Sequence, residues 1–176
     1  MIERLNRENL RDINRANQPF ELIGRVLPEY RNKAWTYAEQ LFEESSTKAY
    51  PNDPVDYAAY IDAADRAAFL YYESGECLGQ IILRRDWNRY AFVEDIAVAV
   101  SARGKGVGTA LMQSAVKWAK KNDLCGLALE TQDTNVWACR FYRRFGMKIG
   151  GVNTMLYRQF SEPYCDEIAI FWYLEF

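Results

Sequence analysis

The stretch Val98-Ala99-Val100-Ser101-Ala102-Arg103-Gly104-Lys105-Gly106-Val107-Gly108-Thr109-Ala110-Leu111 decides how the rest of the chain is read. Apolar residues run to Val100 as a strand, a glycine-rich connection follows, and the connection opens directly into a helix. Three glycines in five residues let the backbone turn sharply and bring successive N–H groups toward one anion. The first N–H groups of a helix have no intrahelical partner and lie at the positive end of its dipole, so a phosphate or pyrophosphate is their natural ligand. Arg103 and Lys105 would add charge-assisted contacts. The loop is not a Walker A, because in Gly104 to Thr109 the residue directly before the hydroxyl residue is Gly108 and not the lysine of Gly-Lys-Ser/Thr. It also departs from the dinucleotide fingerprint: its spacing is Gly-x-Gly-x-Gly, and it follows a meander instead of opening a first βαβ unit. A glycine-rich connection that binds nothing is the bland alternative for such a segment taken alone.

Downstream, Gly108 to Lys121 places Leu111, Ala115, Trp118 and Ala119 on one face and gathers Lys117, Lys120 and Lys121 near its end, the pattern of an amphipathic helix. Cys125 to Glu130 reads as a short buried strand, and Asn135 to Phe145 as a helix stopped by Gly146. In that second helix Phe141 and Phe145, four apart, are expected to form the core-facing stripe, with Tyr142 off it. Two strand-like runs close the chain, Lys148 to Tyr157 and Glu167 to Phe176, separated by Ser161-Glu162-Pro163. The last of these either completes a sheet or pairs across a homodimer.

Upstream, Ala67 to Glu73, the turn Ser74-Gly75-Glu76 and Cys77 to Arg84 make a hairpin, and Tyr90 to Val100 extends it into an antiparallel meander. Phe20 to Leu27 is a strand ended by Pro28. Ala34, Tyr37, Ala38, Leu41 and Phe42 recur at helical spacing, which predicts an amphipathic helix from Tyr30 to about Ser46. A loop at Pro51-Asn52-Asp53-Pro54 and a short helix from Val55 to Ala64 come next. The order predicts one mixed α/β domain over residues 1–176, with a parallel crossover set among antiparallel segments.

Composition narrows the chemistry. A length of 176 residues with 49% hydrophobic and 26% charged residues is ordinary for a self-supporting globular domain, and 15% aromatic residues point to strands and a filled core. The net charge of −2 argues against a broad basic face for nucleic acid or anionic lipid and suits a cationic small molecule. The charged start and the absence of a run near the roughly 18 apolar residues of a spanning helix lead us to expect a cytoplasmic protein. The chain has no histidine, so a Ser-His-Asp triad, a Cys-His dyad and histidine zinc sites are excluded; no metal is expected. Cys77, Cys125, Cys139 and Cys165 have no CxxC spacing and are expected to be buried free thiols. Proton transfer must then fall to carboxylates, tyrosine, thiols or water.

Arg103, Gly106 and Gly108 resemble the Arg/Gln-x-x-Gly-x-Gly/Ala pyrophosphate loop of the GNAT N-acetyltransferase superfamily. The segment Asn135-Val136-Trp137-Ala138-Cys139-Arg140-Phe141-Tyr142-Arg143-Arg144-Phe145-Gly146-Met147 is similar to its second signature, Asn-x-x-Ala-x-x-Phe-Tyr-x-x-x-Gly-Phe, with Met147 replacing the final aromatic. The resemblance implies a GNAT fold: a mixed, mostly antiparallel central sheet with a splayed parallel strand pair and flanking helices. It implies acetyl-CoA as co-substrate, with the pantetheine arm lying between the strand ending at Val100 and the one ending at Glu130. The cofactor set it implies is Ile96, Val98 and Val100 along the first strand, with unpaired backbone at Val98 and Val100. Arg103, Gly104, Lys105, Gly106, Val107, Gly108 and Thr109 continue the set in the loop, and Asn135, Cys139 and Tyr142 on the second helix. Tyr142 would serve the departing thiolate as acid, and the Val98 N–H the oxyanion.

For the base, Glu94 comes first and Asp95 second; strand parity groups Glu94 with Ile96, Val98 and Val100 and turns Asp95 to the other face. A surface ion pair is the competing account of either carboxylate. Glu130 and Asp133 are candidates for binding a cationic acceptor.

A longer resemblance, to streptothricin acetyltransferases, is carried by Gln18 to Arg25, Trp87 to Val98, Leu129 to Asn135, Asn153 to Tyr157 and Ile170 to Leu174. It implies acetylation of the β-lysine amino group of streptothricin or nourseothricin, which would confer resistance. Protein N-termini, another amine antibiotic, or a non-catalytic acyl-CoA-binding module are the alternatives.

Overall fold

The computed structural model describes residues 1–52, 54–162 and 164–176, so Asp53 and Pro163, which the sequence places in two connections, lie outside the described residues. In chain order the elements are β1 (Ile2–Arg4), β2 (Phe20–Arg31), β3 (Ala34–Lys48), β4 (Arg66–Glu73), β5 (Glu76–Arg85), β6 (Tyr90–Val98), α1 (Val107–Lys121), β7 (Gly126–Gln132), α2 (Val136–Phe145), β8 (Lys148–Asn153) and β9 (Ala169–Glu175). They fall into two compact units, one of Met1–Phe20, Ala49–Leu127 and Phe176, the other of Glu21–Lys48 and Ala128–Glu175.

The first unit is built on the predicted meander. Strands run in the order β1-β4-β5-β6, and each neighbour in that row is antiparallel to the next. One sheet face carries α1, whose buried side is Val107, Leu111, Met112, Ala115, Trp118 and Ala119. Gly79 of β5 is what lets the helix approach: a Cβ there would stand 2.9 Å from Val107 Cγ1 and 3.0 Å from Leu111 Cδ1. The other face carries a second cluster of Leu5, Tyr60, Ala68, Leu70, Cys77 and Ile82, with Leu10, Ile13, Tyr57 and Ile61 packed on it. The predicted helix from Val55 to Ala64 is here only a 3-10 turn, Tyr57–Tyr60, started by Asp56, whose carboxylate accepts from the Ala58 N–H.

β6 does not keep simple alternation. Asp95 pairs with Ile82 and Val93 with the next residue, Leu83, so Glu94 is an extra residue in a β-bulge. The bulge overturns the parity expectation. Glu94 bonds to Tyr60 and Arg84 and Asp95 to Gln80, and these partners belong to the face away from α1; the two carboxylates share that face.

In the second unit the sheet order is β7-β9-β8, so β9 has a neighbour on each edge; it completes the sheet and has no edge to offer a homodimer. α2 buries Val136, Cys139 and Tyr142, while Phe141 and Phe145 are only half-buried. The expected stripe is thus displaced by one residue, and Tyr142 lies in the packed face, its ring centroid 6.0 Å from that of Trp172.

The predicted helix from Tyr30 to Ser46 does not exist. Its residues finish β2 and form β3, joined through Asn32 and Lys33 at φ 51° and 62°, the left-handed pair that a two-residue hairpin turn needs. Pro28 stands inside β2 instead of ending it. Apart from Lys48 at its end, the inward residues of β3 are Trp35 and Tyr37, two apart, and Tyr37 meets Trp172 edge-on at 6.1 Å. Arg140 grips Glu39 and Arg143 lies over the Tyr37 ring, so the start of β3 is docked on α2. The last two predicted strands are also shorter than expected, Lys148–Asn153 and Ala169–Glu175.

Candidate active site

β6 ends at Val98, and the chain leaves the sheet through a 3-10 turn, Val100–Ala102, before reaching Gly104 and Gly106 at φ 75° and 85°. Side chains strain at such angles and glycine does not. Gly106 is the N-cap of α1, with no side-chain cap, and the first backbone bond it receives is from Ala110, 3.0 Å. The N–H groups of Gly104, Lys105, Gly106, Val107, Gly108 and Thr109 make no hydrogen bond among the described residues. A row of bare donors at a helix start is an arrangement that could hold an anion. Lys105 is exposed and forms no ion pair among the described residues, so it is the cation free to reach a phosphate.

Two other expectations for this segment need correction. The Val100 N–H is not unpaired; it donates to Gln18 Oε1 at 2.8 Å. Arg103 does not project its guanidinium over the loop. Nε donates to the Val98 carbonyl (2.9 Å), one terminal nitrogen to Pro19 (2.8 Å) and the other to Gln18 (3.0 Å).

The candidate bases differ sharply in their surroundings. Glu94 accepts from the Tyr60 hydroxyl at 2.6 Å and meets Arg84 Nε at 3.3 Å, with its side chain still 29% exposed. Burial, then the hydrogen bond to Glu94, push the Tyr60 phenol well above its ordinary pKa, so it remains a donor. Asp95 accepts at 2.6 Å from Gln80, a fully buried amide that also binds Asn14. It is part of a polar network that ties the N-terminal segment to the sheet. Nothing in the sequence singles out Tyr60, Arg84 or Gln80 for these contacts; Gln18, at the head of the streptothricin-like opening, carries the one signal.

In the second unit, Asn135 caps α2 by accepting from the Ala138 N–H at 3.1 Å, which leaves its amide NH2 as the group to offer a ligand. Cys139 is fully buried, and that burial raises its thiol to about 12, so it acts as packing and not as a thiolate. Of the four cysteines all are free, but only Cys77 and Cys139 are buried; Cys125 is exposed and Cys165 half-buried.

Three carboxylates lie inside this unit. Asp133 is held by Arg25 (2.9 Å) and the Ile168 N–H (2.9 Å), and Glu167 by Lys48 and Thr134, both at 2.5 Å. Asp133 is therefore a structural anchor and not an acceptor-binding group. Glu130 has no ion pair among the described residues and accepts from the Tyr157 hydroxyl at 2.6 Å. Burial raises both Glu130 and Asp133 above the ordinary carboxylate range, against the lowering effect of those hydrogen bonds. Among the described residues no group of histidine, cysteine and carboxylate side chains could hold a metal ion. No helix is long and apolar enough to cross a membrane.

Residues 35–147 match the model of the Acetyltransferase (GNAT) family. Streptothricin acetyltransferase A of Bacillus subtilis (strain 168) is 48% identical over 176 residues, all of both chains. A Bacillus anthracis (Ames) protein assigned as a streptothricin acetyltransferase, crystallised with acetyl coenzyme A, superposes with a TM-score of 0.92 at 32% identity, covering 100% of this chain and 99% of that one. Nourseothricin acetyltransferase superposes with a TM-score of 0.81 at 27% identity, covering 99% and 97%. The mixed, mostly antiparallel α/β architecture expected from the sequence is the one these structures share.

Proposed function

Because the chain belongs to the GNAT acetyltransferase family, we propose that it carries the acetyl group of acetyl-CoA to the β-lysine amino group of streptothricin-type antibiotics, and so inactivates them. The observation that supports the cofactor half of this reading is the row of bare N–H groups from Gly104 to Thr109, which suits a phosphate or pyrophosphate anion. The acceptor half rests on the full-length likeness to the Bacillus subtilis enzyme. Streptothricins are polycations, and acetylation removes one positive charge, which weakens their hold on an anionic target.

The chemistry is set by the groups available. The amine must be neutral to attack, and its nitrogen forms a bond to the thioester carbonyl carbon as that oxygen becomes an anion, which the Val98 N–H stabilises. Collapse breaks the carbon–sulfur bond. Tyr142 gives its phenolic proton to the departing thiolate and is reprotonated from solvent. Glu94 accepts the amine proton, directly or through a water, because its carboxylate is reachable from solvent, whereas Asp95 is committed to Gln80. Ile96 and Val98 on β6, Lys105 and the glycine loop, and Asn135 on α2 supply the remaining cofactor contacts. The reaction belongs in the cytoplasm, where acetyl-CoA is made.

Purified protein given acetyl-CoA and nourseothricin should release free thiol at a rate proportional to enzyme, with a drug mass gain of one acetyl group. Thiol release with N-terminal peptides or aminoglycosides, and none with nourseothricin, would overturn the substrate. Tight coenzyme A binding without thiol release from any amine would make the protein a sensor.

A further inference from the structure

The signature arginine of the cofactor loop is engaged in a way that its motif does not explain. A guanidinium has five donors in a fixed fork, and here its three nitrogens are directed at the carbonyls of Val98, Pro19 and Gln18. Gln18 closes the same knot from the other side, its Oε1 accepting from the Val100 N–H at 2.8 Å. The turn from Val98 to Arg103 is thus clamped at its first carbonyl, at its middle N–H and at its last side chain. The clamp has a firm support. Four residues earlier, the Asn14 N–H donates to Gln80 Oε1 at 2.6 Å, and Gln80 is fully buried in β5. The segment from Asn14 to Pro19 is therefore fastened at both ends, to the sheet and to the loop.

Immediately beyond the clamp lies the glycine-rich stretch Gly104 to Gly108. Three glycines in five residues lose more backbone entropy on ordering than side-chain-bearing residues would, and Gly106, the N-cap of α1, has no side chain to cap the helix. A cradle of bare N–H groups binds an anion well only when its donors already converge.

We infer that Arg103 and Gln18 are positioning residues that fix the shape of the Gly104–Thr109 cradle by binding the backbone around it, and that Arg103 does not itself touch the pyrophosphate. The inference rests on the reading that this loop holds the pyrophosphate. It gives Gln18-Pro19, at the head of the streptothricin-like opening and outside either superfamily signature, a task in cofactor binding. It also divides the loop's two cations: Arg103 acts on the loop, Lys105 on the ligand.

The full-length enzyme with Gln18→Ala, Arg103→Lys, Arg103→Ala or Gly106→Val tests it, by calorimetric Kd for coenzyme A and by KM and kcat with varied acetyl-CoA. Gly106→Val strains a φ of +85° and reports on the loop itself. Gln18→Ala removes a neutral hydrogen bond and should raise Kd and KM about three- to tenfold. Arg103→Lys keeps the charge but loses the fork and should raise them at least as much, with kcat and the unliganded unfolding midpoint nearly unchanged. If Gly106→Val weakens binding while Gln18→Ala and Arg103→Lys leave it alone, the positioning role is wrong and the loop reading stands. If Arg103→Lys alone preserves affinity while Arg103→Ala destroys it, the arginine acts as a charge on the ligand. If Gly106→Val changes nothing, the loop does not hold the cofactor and both ideas fall.

Discussion

The glycine loop of the first unit and the buried charges of the second treat polar groups in opposite ways. From Gly104 to Thr109 the backbone leaves six N–H groups without partners among the described residues, while the turn just before them is tied by bonds from Arg103 and to Gln18. In the second unit, Asp133 and Glu167 are deep in the protein and fully engaged: Arg25 and an N–H hold one, Lys48 and a hydroxyl the other. The difference separates ligand sites from architecture. A polar group left open where the fold could have closed it is available for binding, and a charge that is buried and paired secures the fold.

The sharpest way to break this contrast is to open what is closed. Lys48 and Glu167 have side chains only 4% and 6% exposed, so Lys48→Ala strands a buried carboxylate and should cost about 3–5 kcal/mol in urea unfolding. A loss under about 1 kcal/mol, the size of a surface pair, would deny the pair its structural role. Tyr142 stands on the border, buried like the architecture yet proposed to act on substrate. Tyr142→Phe keeps the packing against Trp172 and removes the oxygen; kcat should fall about a hundredfold with coenzyme A affinity and melting temperature held. Equal losses in stability and rate would return Tyr142 to the core.

Smaller effects sharpen the same line. Lys105→Ala removes the loop's available cation and should raise KM for acetyl-CoA about fivefold, an effect that fades as salt rises. Glu130 gives the smallest signal. Its carboxyl is pushed above its ordinary value of 4.5 by burial, so the folded state holds the proton more tightly than the unfolded chain. Its contribution to stability is complete below the unfolded value and is lost as pH rises through the raised one. Relative to Glu130→Gln, the wild type should lose stability as pH climbs above about 4.5 and then level off. A difference that instead grew toward acid would mean that Glu130 is stabilised as a carboxylate.

The legible parts of the sequence were those where local chemistry has one solution. Ser74-Gly75 at a hairpin turn, the leucine and alanine stripe of α1, and Gly146 in the left-handed conformation at φ 99° left little choice, and the meander and both helices stand where they were expected. The run from Tyr30 to Ser46 misled because Ala34, Tyr37, Ala38, Leu41 and Phe42 fit a helix, while the alternation that matters, Trp35 and Tyr37, is only one repeat long. Most of β3 is exposed on both faces, so no buried period was written into it, and the turn at Asn32-Lys33 lacks the glycine that would have announced a hairpin. In the site, the glycine loop could be read because its backbone requirement is local. The bulge at Glu94 could not, since one unpaired residue leaves no mark on composition yet moves a carboxylate to the other face. The Gln18–Arg103 clamp joins residues 85 apart and becomes visible only once the chain is folded.

A crystal structure of this chain with coenzyme A bound would put the cofactor loop to its most direct trial. Pyrophosphate oxygens should lie within hydrogen-bonding distance of the N–H groups between Gly104 and Thr109, with Lys105 alongside them and Arg103 still on the carbonyls of Val98, Gln18 and Pro19. Coenzyme A seated elsewhere, or an arginine swung onto the phosphate, would contradict this.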